Sequence, residues 1–269
     1  MIKDSAVSSH CVQLSAAHPV LLWADAGAPC LQAETLAERL QLPLIRGKPA
    51  HQTLVLFLDA DGLALGLSDM PCRHMLRADF SRILPRIQPQ RLKSELLVRA
   101  AKIRKRRSTT LLAVDATAGL GEDAFLLAAA GFEVLLFEYN PFIAVLLEDA
   151  LRKAQMLPEL ATICARMQLQ CGDSIQLLQG LHSPPDLVYL DPMFPARHKS
   201  AKVKKKLQLL QMVEQPCTDE IALLQAALAA QPQKLVIKRP LKGAPFAGLK
   251  PSYSITGKAI RFDCLQVRS

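Results

Sequence analysis

The segment Asp115-Ala-Thr-Ala-Gly-Leu-Gly-Glu-Asp-Ala-Phe125 decides the fold of this chain of 269 residues. Apolar runs precede and follow it, a pattern typical of a strand, a glycine turn and a helix. A second segment, Leu190-Asp-Pro-Met-Phe-Pro195, ends the strand-like run 186–190 with a carboxylate, two prolines and an aromatic ring. Ligands of open α/β sheets bind outside the carboxyl ends of the strands, so we expect both segments to face one crevice.

Strand-like and helical patterns alternate from residue 111 onward. The strand-like runs are 111–115, 133–138, 167–171, 186–190 and 234–238, and helical patterns lie between them at 122–130, 141–155, 201–213 and 218–230. This alternation predicts βαβ units and an α/β fold with a mostly parallel sheet. The last stretch has the pattern of a hairpin turning at Gly257, which is expected to finish the sheet with antiparallel strands.

The first 88 residues have a different organisation. Runs 20–24, 53–58 and 63–67 are strand-like, a turn signal lies at 59–62, and residues 30–42 have helical apolar spacing. We predict a small N-terminal α/β region of unassigned role over residues 1–88 and a larger domain over residues 89–269. Residues 89–107 are expected to form one helix rich in basic side chains.

Composition limits the class of protein. Half of the residues are hydrophobic, which supports a sizeable core. The net charge of +9 fits an acidic partner such as nucleic acid, and on charge alone a merely soluble basic protein is an equal alternative. The seven cysteines form no C-x-x-C pair, and the six histidines have no paired spacing, so neither a metal site nor a disulfide framework is predicted. With no visible membrane span or secretory signal, we expect a cytoplasmic protein.

The glycine loop favours one cofactor over another. Residues 119–124 satisfy G-x-G-x-x-A through Gly119 and Gly121, which alone fits a dinucleotide site. Asp115, Glu122 and Asp123 surround the loop, however, and their charge would repel a pyrophosphate. S-adenosylmethionine carries a sulfonium and an ammonium group and no phosphate, so acidic neighbours suit it. We predict S-adenosylmethionine as the cofactor, with a nicotinamide dehydrogenase as the disfavoured alternative.

Further candidates for cofactor contacts follow the next two strands. Glu138 ends the second strand-like run, where an acid can hold both ribose hydroxyls, and Tyr139 beside it can pack on the adenine. Asp173, next to Ser174, is placed to accept a hydrogen bond from the adenine amine. The alternative for each acid is a helix cap, a turn residue or a complement to a helix dipole.

Asp191 and Phe194 are the predicted catalytic residues. Methylation of an exocyclic base amine needs the nitrogen held close to the methyl carbon with aligned orbitals. Asp191 can accept hydrogen bonds from the amine, and Phe194 offers a face on which the base can stack. The loop suits adenine N6, cytosine N4 and guanine N2 alike, and its structural alternative is an Asp-Pro turn packed by a buried phenylalanine.

Basic residues follow this loop directly, where phosphates flanking a target base would pass. The alternative to phosphate contact for the run after the loop is an ordinary solvated surface. For the basic pair at 238–239, the alternative is that these residues only end a strand. A second patch lies at Lys102–Arg107. Phosphate contacts position nucleic acid without specifying its sequence and make binding salt-sensitive. The predicted RNA contacts are Arg197, Lys199, Lys202, Lys204, Lys205, Lys206, Lys238 and Arg239.

The chain resembles a known family in the order of its motifs. The segments 115–121 and 190–195, Lys199-Ser-Ala201 with Val203-Lys-Lys205, Lys238-Arg-Pro240 and Arg261-Phe-Asp263 occur in this order in the bacterial small-subunit ribosomal RNA guanine-N2 methyltransferases of the RsmJ family. The resemblance covers residues 89–269 well and the first 88 poorly. It implies a class I methyltransferase fold, which is Rossmann-like, and methylation of one guanine near the 3′ end of 16S rRNA with S-adenosylmethionine.

The resemblance also implies a partner and a set of cofactor contacts. The partner is 16S rRNA or the small ribosomal subunit. An adenine-N6 or cytosine-N4 methyltransferase and a nucleic-acid-binding protein without chemistry remain the alternatives from the residues alone. The implied cofactor contacts are Glu122, Asp123, Glu138, Tyr139, Asp173, Ser174 and Asp191.

Overall fold

The computed structural model of the protein describes residues 20–103, 109–192, 209, 213 and 219–267. A four-stranded sheet comes first, with the strands β1 (Val20–Ala24), β2 (Leu44–Ile45), β3 (Leu54–Asp59) and β4 (Gly62–Leu67) in the order β2-β1-β3-β4. Helix α1 (Cys30–Leu40) connects the parallel pair β1 and β2. The turn signal at 59–62 joins β3 to β4 as an antiparallel hairpin, as predicted.

A seven-stranded sheet carries the rest of the fold. Its strands are β5 (Leu111–Asp115), β6 (Phe132–Glu138), β7 (Met167–Cys171), β8 (Leu187–Leu190), β9 (Lys234–Pro240), β10 (Tyr253–Thr256) and β11 (Ile260–Gln266). The order is β10-β11-β9-β8-β5-β6-β7. Strands β5 to β9 pair in parallel, and β11 pairs antiparallel with β9 and β10. The predicted parallel sheet and its C-terminal antiparallel hairpin are confirmed.

The described helices of this region are α2 (Pro89–Ser94), α3 (Leu96–Ala100), α4 (Glu122–Ala129), α5 (Pro141–Gln155), α6 (Pro158–Cys164), α7 (Ser174–Gln179) and α8 (Glu220–Ala229). The helices predicted over 122–130, 141–155 and 218–230 are confirmed, and the two short helices α6 and α7 were not predicted. The helix predicted over 201–213 lies outside the described residues apart from positions 209 and 213. The single helix predicted over 89–107 is wrong, since the chain breaks between α2 and α3 at Glu95, where φ is −58° and ψ is 130°. Arg86 donates to both carboxylate oxygens of Glu95 at 2.8 and 3.0 Å, and this pair holds the residue at the break.

Helix α5 belongs to the hydrophobic cores of both sheets. The residues that pack against the four-stranded sheet are Phe142, Ile143, Val145 and Leu146. Those in the core of the larger sheet are Leu147, Ala150, Leu151 and Ala154. The N-terminal region also contributes Phe80, whose ring stacks on Phe125 of α4 with centroids 4.8 Å apart. The two regions therefore share packing, and the domain boundary after residue 88 stays a prediction.

The strand order fixes where a ligand can bind. Strands β6 and β7 lie on one side of β5, and β8 and β9 lie on the other, so the strand order switches between β5 and β8. Such a switch point opens a crevice at the carboxyl ends of the two strands. We call the carboxyl ends of β5 to β9 the carboxyl edge, and the opposite ends of these strands the amino edge. Among the described residues, no helix is long and apolar enough to cross a membrane.

Candidate active site

The loops at the carboxyl edge bring both sequence-predicted segments together. Asp115 is the last residue of β5, Glu138 the last of β6, and Asp191 follows β8 directly. The backbone N–H of Asp191 donates to Thr117 Oγ1 at 2.6 Å, and Thr117 N–H donates in turn to Asp115 Oδ1 at 3.1 Å. The loop after β5 and the loop after β8 are thus joined by a direct hydrogen bond.

The two glycines of the loop after β5 have different surroundings. Gly119 (φ 54°) and Gly121 (φ 77°) both adopt the left-handed conformation that favours glycine. A Cβ on Gly121 would lie 2.6 Å from Leu147 Cδ1, so a side chain there would have to displace the packed Leu147. A Cβ on Gly119 would meet no atom within 4 Å, because this residue faces open space. Gly119 therefore leaves backbone accessible to a ligand, as a close-approach cofactor loop requires.

Glu138 ties the end of β6 to the glycine loop. Its carboxylate accepts hydrogen bonds from the backbone N–H of Gly119 at 2.7 Å and of Asn140 at 2.8 Å. Only 7% of the residue is exposed, and this burial raises its pKa to about 7 although the backbone donors act in the opposite direction. Each carboxylate oxygen has a second lone pair, so Glu138 keeps acceptor capacity for the ribose hydroxyls predicted to bind it.

The remaining predicted adenine contacts lie at the ends of β6 and β7. Tyr139 is 41% exposed beside Glu138, which suits a ring that packs on a ligand. Asp173 accepts from Ile175 N–H at 2.9 Å and so caps α7, the structural alternative considered for it. Ser174 Oγ donates to Ala116 O at 2.6 Å. The structure thus gives Asp173 and Ser174 local partners, and their cofactor contacts stay predictions.

An ion-pair network connects the start of α4 to Asp191. Lys238 Nζ, near the end of β9, lies 2.7 Å from Asp123 Oδ2 and 2.8 Å from Asp191 Oδ2. The hydroxyl of Tyr189 on β8 donates to Asp123 Oδ2 at 2.6 Å. Burial raises the pKa of Asp191, and the charge and hydrogen bond of Lys238 lower it. Glu122 precedes Asp123 and is exposed, where its charge complements the dipole of α4.

Asp115 is the most buried acid of the site. It is 1% exposed, and burial raises its pKa well above the ordinary range, with the negative charges of Asp123 and Asp191 acting in the same direction. Its hydrogen bond from Thr117 opposes this shift and fixes the first turn of the loop after β5. Clustered carboxyl groups with raised pKa values at a ligand-binding edge are typical of functional sites.

The predicted RNA contacts have different outcomes. Lys238 pairs with the two carboxylates, and Arg239 donates to Ala244 O at 2.9 Å with its side chain 7% exposed, so both face protein groups and their RNA contacts stay untested. Lys102 lies at the amino edge, where its carbonyl accepts from Lys234 Nζ. Residues that lie outside the described ranges are Phe194, Arg197, Lys199, Lys202, Lys204, Lys205 and Lys206.

Sequence reasoning missed Thr117, Tyr189 and the ionic role of Lys238. Tyr189 sits within the buried run of β8 and has no local signal that its hydroxyl reaches α4. Thr117 is a short polar side chain inside the glycine loop, and that position was the one available hint. Lys238 lies near the end of a strand at the same sheet edge as the predicted acids. A basic residue at that place could have been predicted to form an ion pair with one of them.

Comparisons with known proteins agree with this geometry. The SAM_MT family model of SAM-dependent methyltransferases matches residues 35–267, so the similarity extends well into the N-terminal region that the motif resemblance covered poorly. The protein named Ribosomal RNA small subunit methyltransferase J from Thioalkalivibrio sulfidiphilus is 42% identical over 236 residues, covering 86% of this chain and 91% of the relative. Its namesake from Pseudomonas syringae pv. syringae is 39% identical and covers 86% of each chain.

A solved structure has the same fold along nearly the whole chain. The SAM-dependent methyltransferase NGO1261 from Neisseria gonorrhoeae superposes with a TM-score of 0.72 and 30% sequence identity, covering 91% of this chain and 95% of that one. The relatives and the solved structure each match most of this chain. The chain therefore belongs to the family of S-adenosylmethionine-dependent methyltransferases whose curated members are named ribosomal RNA small subunit methyltransferase J.

Proposed function

We propose that this protein methylates the exocyclic N2 of a specific guanine in the 3′ region of 16S rRNA, with S-adenosylmethionine as methyl donor. The observation that carries the proposal is the hydrogen bond from Asp191 N–H to Thr117 Oγ1, because it places the candidate base-binding acid beside the cofactor loop. The names of the relatives support small-subunit ribosomal RNA as the substrate. The choice of guanine N2 rests on the resemblance of the motifs.

The residues of the carboxyl edge fit the proposed cofactor. Gly119 presents open backbone, Glu138 has acceptor capacity for ribose hydroxyls, and Tyr139 has an exposed ring for the adenine. Acidic groups at this edge suit the positive end of this cofactor, and the backbone of Asp191 is bonded directly to the loop after β5. When bound there, S-adenosylmethionine supplies a methyl group made electrophilic by its sulfonium. The same acids disfavour a pyrophosphate-bearing cofactor.

Asp191 orients the amine of the target base in this proposal. Its carboxylate accepts a hydrogen bond from N2, which holds the nitrogen in line and lets electron density build on it. After transfer, the methylated nitrogen releases a proton, which the carboxylate can receive. Phe194, two residues past the last described position of this loop, is proposed to stack on the guanine on the basis of the sequence alone.

The target guanine must leave its stack to reach this crevice. Enzymes that modify a base pay a few kcal/mol for unstacking it, and phosphate contacts on either side help to hold the opened strand. The run 197–206 holds six lysines and arginines and is proposed to supply these contacts. Ribosomal RNA of bacteria is made and assembled in the cytoplasm, which is the proposed location of the protein.

Transfer of labelled methyl groups tests the proposal. Small ribosomal subunits, and RNA extracted from them, are prepared from cells that lack this protein and are incubated with labelled S-adenosylmethionine. The modified RNA is then digested to nucleosides and separated. We expect the label in N2-methylguanosine, and we expect none with subunits from cells that already contain the protein, because their target is already methylated.

Each other outcome identifies an alternative. Label in methylated adenine or cytosine would show that the protein is a methyltransferase that acts on another base. Absence of label together with measurable donor binding would reject these RNA substrates. Absence of both label and donor binding would contradict the cofactor assignment and favour a nucleic-acid-binding protein without chemistry.

A further inference from the structure

Lys238 occupies a position between the cofactor loop and the candidate base-binding loop. Its ammonium group contacts Asp123 at the start of α4 and Asp191 after β8, each at less than 3 Å. The side chains of Lys238, Asp123 and Asp191 are 24%, 18% and 34% exposed, so the cluster is shielded from bulk solvent without being sealed from it. Charge-assisted hydrogen bonds of this kind are short and directional.

We propose that Lys238 is a positioning residue that fixes the carboxylate of Asp191 for the incoming base amine. The ammonium binds Oδ2 of Asp191, which assigns the other oxygen, Oδ1, to the amine. This inference rests on the proposed function, since it names the residue that prepares its base-binding acid. It also replaces the RNA-phosphate role that the sequence suggested for Lys238.

The anchor of Lys238 makes this arrangement directional. Asp123 receives both the ammonium and the hydroxyl of Tyr189, whose side chain is fully buried in the sheet. The ammonium is therefore held on one side by a rigid element and presents its charge to Asp191 on the other. Without Lys238, the two carboxylates would face each other with like charges, and Asp191 would lack the partner that sets its rotamer.

A phosphate contact and a positioning role predict different kinetics. A lysine that binds RNA contributes to affinity and to its salt dependence, so its loss raises KM. A lysine that orients Asp191 contributes once the base is bound, so its loss lowers kcat. Two carboxylate partners already engage the ammonium of Lys238, which favours the second role.

The charges around Asp191 give the expected direction of a pH effect. Those that face it are Asp115 on β5, Asp123 on α4 and Lys238 on β9, with the hydroxyl of Tyr189 on β8 and Arg86 beyond Asp123. Burial and Asp123 raise the pKa of Asp191, while Lys238 lowers it. Loss of the ammonium should therefore raise the pKa of Asp191 further. Because transfer needs the ionised carboxylate, activity should be lost at a higher pH than in wild type as the pH falls.

The experiment compares Lys238→Met with Lys238→Arg and with Lys250→Met, a control that removes an exposed lysine from the segment before β10. Initial rates of S-adenosylhomocysteine formation on undermethylated small subunits give kcat and KM across the pH range in which each variant stays folded. For Lys238→Met we expect kcat to fall on the order of 100-fold, as for a misplaced reacting group, with KM within about twofold of wild type. Its acidic limb should move to higher pH.

The other variants sharpen the result. Lys238→Arg keeps the charge and should restore part of kcat, and Lys250→Met should behave as wild type. Asp123→Asn keeps an acceptor for Tyr189 but removes a charge that raises the pKa of Asp191, so its acidic limb should move to lower pH. This second variant keeps the inference testable if Lys238→Met fails to fold.

Two outcomes would overturn the inference. A raised KM with unchanged kcat and a flatter salt dependence would mean that Lys238 contacts RNA phosphates. A kcat and a pH profile equal to those of wild type would mean that Lys238 has no role in positioning Asp191. Failure of the proposed function is distinguished by the base that the wild-type enzyme modifies. If that base is adenine or cytosine, the same comparison of variants is made on it.

Discussion

Strand β9 carries a lysine near each end, and the two lie in opposite surroundings. At the amino edge, Lys234 is 3% exposed and donates to the backbone carbonyl oxygens of Ala100, at 3.0 Å, and Lys102. At the carboxyl edge, Lys238 contacts two carboxylates, and burial raises the pKa values of Asp115 and Asp191. Two lysines four positions apart in one strand thus have different partners: Lys234 bonds to backbone carbonyl oxygens at the amino edge, and Lys238 pairs with carboxylates at the carboxyl edge.

The difference follows from what each edge has to satisfy. At the amino edge the polar groups belong to the chain itself: Asp186 accepts from Leu112 N–H at 2.8 Å, and Lys234 ties the end of α3 to the start of β9. At the carboxyl edge, carboxylates are gathered at a switch point where ligands bind. Their mutual repulsion lowers the stability of the fold, and such an arrangement is expected only where function requires it. Charge that opposes folding therefore marks the functional edge.

Replacing Asp191 by Ala should give the largest effect at the carboxyl edge. We expect methyl transfer to fall on the order of 1000-fold, the usual size for a positioned acid or base, while the fold persists. Transfer to undermethylated small subunits and the unfolding transition in denaturant measure the two quantities. Activity within about twofold of wild type would contradict the role of Asp191.

Replacing Lys234 by Met should have the reverse pattern. The substitution leaves the buried carbonyl oxygen of Ala100 and the partly buried one of Lys102 without this donor, so we expect the free energy of unfolding to fall by about 2 kcal/mol. Transfer per folded molecule should stay at the wild-type level. Lys238→Met is the matched substitution on the same strand, and equal kinetic defects in the two variants would break the distinction between the edges.

Protonation of Glu138 should weaken cofactor binding in the free enzyme. Burial raises its pKa to about 7, so the carboxylate that would hold the ribose hydroxyls is ionised above that pH and lost as the pH falls through it. One unit below the pKa, only about a tenth of the groups are ionised, so we expect affinity to fall about tenfold between one unit above and one unit below it. Calorimetric titration with S-adenosylmethionine measures this change.

Glu138→Gln is the control for that titration. The variant should bind the cofactor weakly at every pH, and any remaining pH dependence belongs to other groups. If wild type and variant show the same pH profile, Glu138 is not the group that controls binding.

The smallest effect is expected from the basic run after Asp191. Replacing Lys204, Lys205 and Lys206 by Ala should weaken RNA binding several-fold and lower the salt slope by about 0.7 for each phosphate that is no longer neutralised. Removing the same charge at Lys48, Lys93 and Lys250, which are exposed elsewhere, is the matched control. Equal changes in the slope of binding against salt would mean that RNA contacts the surface diffusely, without preference for the carboxyl edge.

Much of the fold was predictable because its signals are local. Apolar periodicity predicted β5 to β9 and the C-terminal hairpin, and the acids at the ends of β5, β6 and β8 were predicted to share a crevice since parallel strands end at one edge. The break at Glu95 was not predictable from periodicity, because it depends on Arg86, which lies nine residues earlier and packs back onto it.

The contacts within the site were less accessible to sequence reasoning. The network from Tyr189 through Asp123 and Lys238 to Asp191 joins residues up to 115 positions apart. It exists because β8 lies between β5 and β9 in the sheet, and neither strand order nor register follows from the pattern of a single strand. Lys238 therefore looked like a free cation at a strand end, although its partners lie on α4 and after β8.

A crystal structure with S-adenosylhomocysteine bound would test the central claim that the carboxyl edge is the methyl-transfer site. We predict ribose hydroxyls within hydrogen-bonding distance of the Glu138 carboxylate, the ligand backbone against Gly119, and the sulfur on the side of Asp191 that Lys238 does not occupy. Binding of the ligand away from the loops after β5, β6 and β8, with Glu138 bonded to Gly119 and Asn140 alone, would contradict the claim.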